Sequence, residues 1–227
     1  MEQTKRLVIV GDSAIAEVAF EYFTCDSTYE VVAFAVEREF LKCDSLFGLP
    51  VVSFEDVANL YPPADHEMFV AVGFGRLNRV RARLFREAKQ KGYRLASYVS
   101  SKAFVWRNVA IGENAFIFEQ NVIQPFVTIG DDVVLWSGNH IGHHSRIGNH
   151  VFVSSHVVLS GFVEIGDYCF LGVNATVANN VVIGRDCLVG AGAAILKNAP
   201  PAQIFAAEST VPRGITTLKR FGIGEDE

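Results

Sequence analysis

The sequence predicts an α/β half followed by an all-β half wound as a parallel helix. Three observations carry this. Short apolar runs alternate with helix-like stretches up to about residue 98. From Ala103 an aliphatic residue returns at every sixth position. No insertion breaks that count before Asn198.

The first half reads strand by strand. Arg6–Val10 is an apolar β run that turns at Gly11-Asp12-Ser13 into a helix from Ala14 to about Phe23. Tyr29–Val36 is a second strand, and Phe47-Gly48-Leu49-Pro50 reads as a turn. Ser53 is placed to cap a short helix over Phe54–Ala58, with Asp56 three residues on as in a capping box. Met68–Gly73 is a third strand, Leu77–Lys91 a basic amphipathic helix stopped by Gly92, and Arg94–Val99 a last strand. Strands alternating with helices imply a small parallel sheet with right-handed crossovers, a Rossmann-like α/β domain over residues 1–98.

The second half changes period. The third residue of each six runs from Val105 through Ile111, Ile117 and onward to Ile195, aliphatic at sixteen of sixteen positions. With half of all residues hydrophobic, chance gives such a run less than about once in ten thousand. The first residue of each six is small or β-branched, so positions one and three are expected inside. Glycine recurs at position four, as in Gly112, Gly130, Gly142, Gly148, Gly166, Gly172, Gly184 and Gly190, and is expected to supply an unusual φ at the corners. A hexapeptide period marks a left-handed parallel β-helix over residues 99–198, in which three sixes close one coil. Residues eighteen apart should then stack at about 4.8 Å. An all-β sandwich would need turns of varying length. Residues 199–227 form a C-terminal extension.

Composition narrows the function. Net charge is −5, and no basic stripe suits nucleic acid. No run of eighteen apolar residues spans a membrane. Met1–Arg6 leads straight into a strand without the features of a signal peptide. Cys25, Cys43, Cys169 and Cys187 show no CxxC spacing, so a cytoplasmic protein with reduced thiols is expected. Cys169 and Cys187 should stack on adjacent coils as buried core thiols.

Two features carry chemistry. Five of six histidines fall between His140 and His156, densest in Asn139-His140-Ile141-Gly142-His143-His144-Ser145-Arg146-Ile147-Gly148. His143 and His144 lie between two inward residues, near a corner, and can project outward. Histidine suits proton transfer near neutral pH. His150 and His156 read as solvated corner residues. Gly11-Asp12-Ser13, at a strand-to-helix turn, can hold a phosphate or hydroxyl. The full G-x-G-x-x-G fingerprint is absent, which argues against a dehydrogenase. Arg76, Arg79 and Arg81 read as a solvated helix face.

The hexads with the preceding α/β domain resemble the bacterial nucleotide-sugar N-acetyltransferases of glycan biosynthesis. The resemblance implies a homotrimer, an N-terminal domain that binds a nucleotide-linked amino sugar, and acetyl-CoA in the groove between β-helices. It implies a histidine general base opening a run of histidine, acid, small residue, any residue and Ile-Gly. Laid over His143–Gly148, that run puts His143 on the base and His144 where the acid is expected, with His140 the second candidate. By similarity Glu37-Arg38 and Gly73-Phe74-Gly75 complete the sugar-nucleotide site begun by Gly11, Asp12 and Ser13. Gly172-Val173-Asn174 and Gly190-Ala191 are placed against acetyl-CoA, with Lys197 and Arg213 as partners for its phosphates. Ile204–Glu208 replaces the loop with which that family ends its β-helix, so adenine contacts do not carry over. No metal is expected. The alternatives are sugar O-acetylation, a non-catalytic sugar-binding scaffold, and a γ-carbonic-anhydrase-like enzyme whose zinc is held by three histidines shared between subunits.

Overall fold

A computed structural model describes residues 5–208, 212 and 214–224. Met1–Thr4, on which the signal-peptide reading partly rests, lie outside the described residues.

The α/β half runs β1 (Lys5–Val10), α1 (Ala14–Cys25), β2 (Tyr29–Val36), β3 (Ser45–Leu46), β4 (Leu49–Ser53), α2 (Val57–Leu60), β5 (His66–Val70) and α3 (Arg79–Gln90). Its sheet has the order β3-β4-β2-β1-β5, parallel except for the β3 edge. Alternation along the strands builds two cores. Leu7, Ile9, Phe34 and Phe69 pack with Ala16, Ala19 and Phe23 of α1. Val8, Val10, Met68 and Val70 pack with Leu84, Phe85 and Ala88 of α3.

Five expectations need correction. The turn at Phe47-Gly48 joins a β-hairpin, with both residues at positive φ. The short helix starts at Val57 rather than Phe54, because the Ser53 hydroxyl bonds the Glu55 carboxylate at 2.6 Å instead of capping a helix. The third strand is His66–Val70. No strand spans Arg94–Val99: Leu95 makes one bridge to Met68, and Tyr98–Val99 is already the first strand of the β-helix. Helix α3 starts two residues later than expected, because Arg76, Leu77 and Asn78 are all left-handed. It ends before Gly92, at φ +92, as expected.

The second half is the left-handed parallel β-helix. Residues eighteen apart pair from Tyr98 to Ile195, as Val122 with His140 and His140 with Val158, and the last strand closes at a spacing of sixteen, Leu188 with Ile204. Its strands stack into faces of seven, six and five strands. The seven-strand face reaches from Tyr98–Val99 to Ile204–Phe205, beyond the expected 99–198 segment at both ends. Positions one and three fill the core. Cys169 and Cys187 are buried within it as free thiols, and burial pushes the Cys169 thiol up to about 12.

The corners work differently from the expectation. The left-handed residue is position six: twelve non-glycine residues there, from Asn114 to Asp186, have φ between 54° and 65°. The position-four glycines have no positive φ. They are small because the next coil is too close. A Cβ on Gly130 would come 2.6 Å from Asn149 Oδ1, which accepts the Asp131 N–H at 2.8 Å. Asp167 repeats the arrangement against Gly148 and the Asn149 N–H. Each polar cap thus occupies the space a side chain at position four would need.

We number the corners in chain order: I follows the seven-strand face, II the six-strand face and III the five-strand face. The α/β half lies across the seven-strand face through Tyr98, Phe116, Val134 and Phe152. Two polar clamps hold its sides. At corner I, Tyr22 Oη donates to Glu119 at 2.6 Å, and burial together with that carboxylate pushes the phenol up to about 12. At corner III, Arg81 Nε donates to Asp132 Oδ1 at 2.9 Å, with both side chains buried. Asn114 and His150 complete the shell of Asp132, each at 2.8 Å. Of the expected solvated helix face, Arg79 and Arg81 instead form a docking surface, with Arg79 over the Tyr168 ring and paired with Asp186, while Arg76 is exposed in the turn before α3. His150 is buried rather than solvated.

Candidate active site

Corner II carries the histidine pair. Strand His140–Ile141 turns Ile141 inward and leaves Gly142, His143 and His144 to round the corner. His144 takes the left-handed position, φ +61, and its ring meets that of His143 edge-on at 5.3 Å. The two Nδ1 atoms stand 3.1 Å apart. Both residues are exposed.

Neighbouring coils fix both rings. His144 is sandwiched between Phe126, at 4.6 Å, and Phe162, at 4.7 Å. These three residues are eighteen apart and share the corner position. His143 meets Phe162 edge-on at 5.1 Å. Its Cε1–Nε2 edge lies over Gly161, where an added Cβ would come 2.7 Å from Cε1. Its backbone N–H donates to Gln124 Oε1 at 2.9 Å. Gln124, Phe126, Gly161 and Phe162 were not singled out from the sequence. Adding or subtracting eighteen from His143 and His144 leads to within a residue of all four.

His140 points outward from the six-strand face, half-buried between Val122 and Val158. Within one chain, no three His, Cys, Asp or Glu side chains among the described residues converge as metal ligands.

The strand-end loops gather at the other side of the prism. Gly11 follows β1, and Ala71–Gly75 follows β5, its neighbour. A Cβ on Gly11 would come 2.7 Å from the Ala71 carbonyl oxygen, and Gly11 has φ +121. Glycine is required there on both counts. The chain leaves β1 toward β2 on one side and reaches β5 on the other, so the crevice between Gly11-Asp12-Ser13 and Gly73 is the topological switch point where open α/β sheets bind ligands. Ser13 heads α1 without using its side chain as a cap. Glu37 and Arg38 follow β2, the other neighbour of β1, and are held in ion pairs. Glu37 accepts both Arg83 nitrogens at 2.8 and 2.9 Å, and Arg38 pairs with Asp56 at 2.6 Å.

Gly172-Val173-Asn174 and Gly190-Ala191 stack on corner I in successive coils. Val173, Asn174 and Ala191 are exposed, while Gly172 is buried against Ala191. Lys197 is on corner II, away from them within the chain, and Arg213 lies outside the described residues.

The family described as bacterial transferase hexapeptide (six repeats) matches residues 108–143, 126–161 and 162–197. Comparison with curated protein sequences finds no match. Solved structures match over both halves. The PglB acetyltransferase domain of Neisseria gonorrhoeae is 25% identical with a TM-score of 0.80, covering 88% of this chain and 95% of its own. PerB of Caulobacter crescentus, solved with CoA and GDP-perosamine, is 28% identical with a TM-score of 0.79, covering 89% and 94%. The architecture is that of the bacterial sugar N-acetyltransferases. WeeI of Acinetobacter baumannii, at 22% identity and a TM-score of 0.68 over 89% and 97%, shares the fold. The likeness extends through the α/β half, which hexapeptide repeats alone do not specify.

Proposed function

We propose that this chain moves acetyl from acetyl-CoA to the amino group of a nucleotide-linked amino deoxysugar, in the cytoplasm, for bacterial surface-glycan biosynthesis. One observation carries this: both halves together match a protein solved with CoA and a nucleotide-linked amino sugar. Hexads by themselves support many acyl acceptors. The α/β half with its switch-point crevice is what favours a nucleotide sugar.

In this reading the amine nitrogen attacks the thioester carbonyl carbon and an N–C bond forms. The carbonyl opens to an oxyanion held by backbone N–H groups, then collapses to expel the CoA thiolate. His143 takes the proton from nitrogen and delivers it to the leaving sulfur. With His143 Nδ1–H donating to His144 Nδ1, the Nε2 lone pair is left free to act as base. The sandwiched His144 thus takes the orienting place of the acid, without supplying negative charge.

The site is shared between copies. The crevice flanks the seven-strand face, whereas His143 stands on the opposite vertex of the same prism. A neighbour in a homotrimer supplies its own His143, and acetyl-CoA lies between, along Gly172–Asn174 and Gly190–Ala191. The apolar groups exposed on and beside the six-strand face, Phe104, Trp106, Val122 and Val158, fit that packing.

The test is a panel of nucleotide-linked 3- and 4-amino sugars with acetyl-CoA, read as free thiol. Release with at least one amine is expected. Release only with hydroxyl acceptors would mean O-acetylation, and no release with any acceptor would leave a binding scaffold.

A further inference from the structure

Helix α1 descends beside corner I one coil per turn. Asp26, just past its end, accepts from Tyr98 Oη at 2.7 Å and the Ser101 N–H at 2.9 Å. Four residues earlier, Tyr22 bonds Glu119 in the next coil. Another turn back, Glu17 and Val18 share a cleft with Trp136 and Ser137 in the coil after that. A helical turn rises about 5.4 Å and a coil about 4.8 Å, so the two keep step. One further step puts Ser13 and Ala14 level with Ser154, Ser155 and His156. The β5 loop reaches the same height independently, because the Phe74 ring lies 5.3 Å from Phe152 and 4.7 Å from Phe170.

His156 is exposed at this level, and among the described residues its ring nitrogens have no hydrogen-bond partner. Among the described residues His140 on the six-strand face shares that freedom, whereas His66, His143, His144 and His150 are all bonded through Nδ1. The ring is nonetheless placed. The backbone is left-handed, φ +58, and the imidazole rests over Gly138, where an added Cβ would come 2.5 Å from Nδ1. Asn174 and Gly192 continue the same corner above it, along the segment proposed for acetyl-CoA.

We propose that His156 is the same-chain contact for the diphosphate of the acceptor, donating a ring N–H to a phosphate oxygen of the substrate lying in the Gly11–Ser13 crevice. This rests on the acyl-transfer reading and adds a residue to its acceptor site. His143 of a neighbouring copy then handles the proton, and His156 holds the substrate.

The test compares the full-length chain with His156→Asn, since asparagine tolerates the left-handed corner. UDP, GDP and dTDP are the calorimetric probes, CoA is the control, and a thermal melt checks folding. Loss of one hydrogen bond to a charged group should weaken the diphosphate that binds by about tenfold, with CoA affinity within about twofold and an unchanged melt. In turnover, acceptor KM should rise about tenfold with kcat within about threefold. Equal diphosphate affinity in both proteins, or no binding of any probe, overturns the assignment. So does a collapse of kcat at unchanged KM, which would make His156 the proton acceptor. If diphosphate binding depends on His156 but the wild type releases no thiol from any acceptor, the acyl-transfer reading fails and this contact stands.

Discussion

His143 and His144 face each other nitrogen to nitrogen, their Nδ1 atoms 3.1 Å apart, on a corner where two phenyl rings hold the second imidazole flat. Replacing His143 by Ala or Asn should lower kcat by about two to four orders of magnitude. Near-wild-type turnover in either variant, measured by thiol release, would remove it as the base.

His144 acts through His143, so its variants should separate by charge. His144→Ala should lower kcat by about tenfold or more, and His144→Glu should recover much of the loss. A carboxylate beside His143 favours its imidazolium. The acidic limb of the pH–rate profile should therefore move to higher pH in the Glu variant. An unmoved limb would mean that residue 144 is not electrostatically coupled to the base during turnover.

Gly161→Ala tests how the ring of His143 is seated. The new methyl group would sit 2.7 Å from Cε1 and must displace the imidazole. A shift of about 1 Å can cost about a hundredfold in kcat. Circular dichroism and melting should remain close to wild type, because the change is confined to an exposed ring.

Arg81→Met would strip Asp132 of its buried cation while leaving His150 and Asn114 in place. Breaking such a pair from one side costs about 3–5 kcal/mol, or roughly 10 °C in melting temperature for a chain of this size. A melt within about 2 °C of wild type would show that the two halves do not depend on this clamp.

Hydrogen bonds from Ser101 first, then Tyr98, hold the Asp26 carboxyl at about 2 in the folded chain. Its folded value is depressed, so its stabilising effect is present above the unfolded value near 4 and is lost as pH falls through about 2. The melting gap between wild type and Asp26→Asn should be widest at pH 5–7 and close between pH 4 and 2. A constant gap would show that the carboxylate charge contributes nothing.

Two individually inactive variants test the shared site. Ser13→Trp obstructs the crevice and His143→Ala removes the base. Mixed and reassembled, they should recover activity that neither has alone, since some assemblies pair an intact crevice with an intact histidine. No recovery in verified mixed oligomers would place the whole site on one chain.

The β-helix was legible because every inward residue obeys one period, and β2 and the start of α1 because Tyr29–Val36 and Ala14 sit at plain boundaries between patterns. The role of the corner glycines was misread. Sequence shows that Gly130 is small, but not that Asn149, a coil away, fills the space above it. Arg81 carried no signal, because its partner Asp132 looks like any polar corner residue and lies fifty-one positions on. Ser53 fitted a capping box, yet Glu55 offered its hydroxyl a nearer acceptor. Of the site, the His143–His144 pair was visible as a motif. The aromatic sandwich follows from the eighteen-residue layer once that spacing is applied to His144, which leads to Phe126 and Phe162.

The pitch of α1 and the spacing of the coils act as two scales of a vernier, coinciding at Asp26, Tyr22 and Glu17 and fixing the height at which each loop meets the prism. Excising one complete layer would leave every interior residue in phase and the solenoid intact. It would also lower everything above the cut by one graduation, so that the crevice would face the wrong rung. For this architecture, the number of coils below the working layer is as much a part of the active site as the side chains on it.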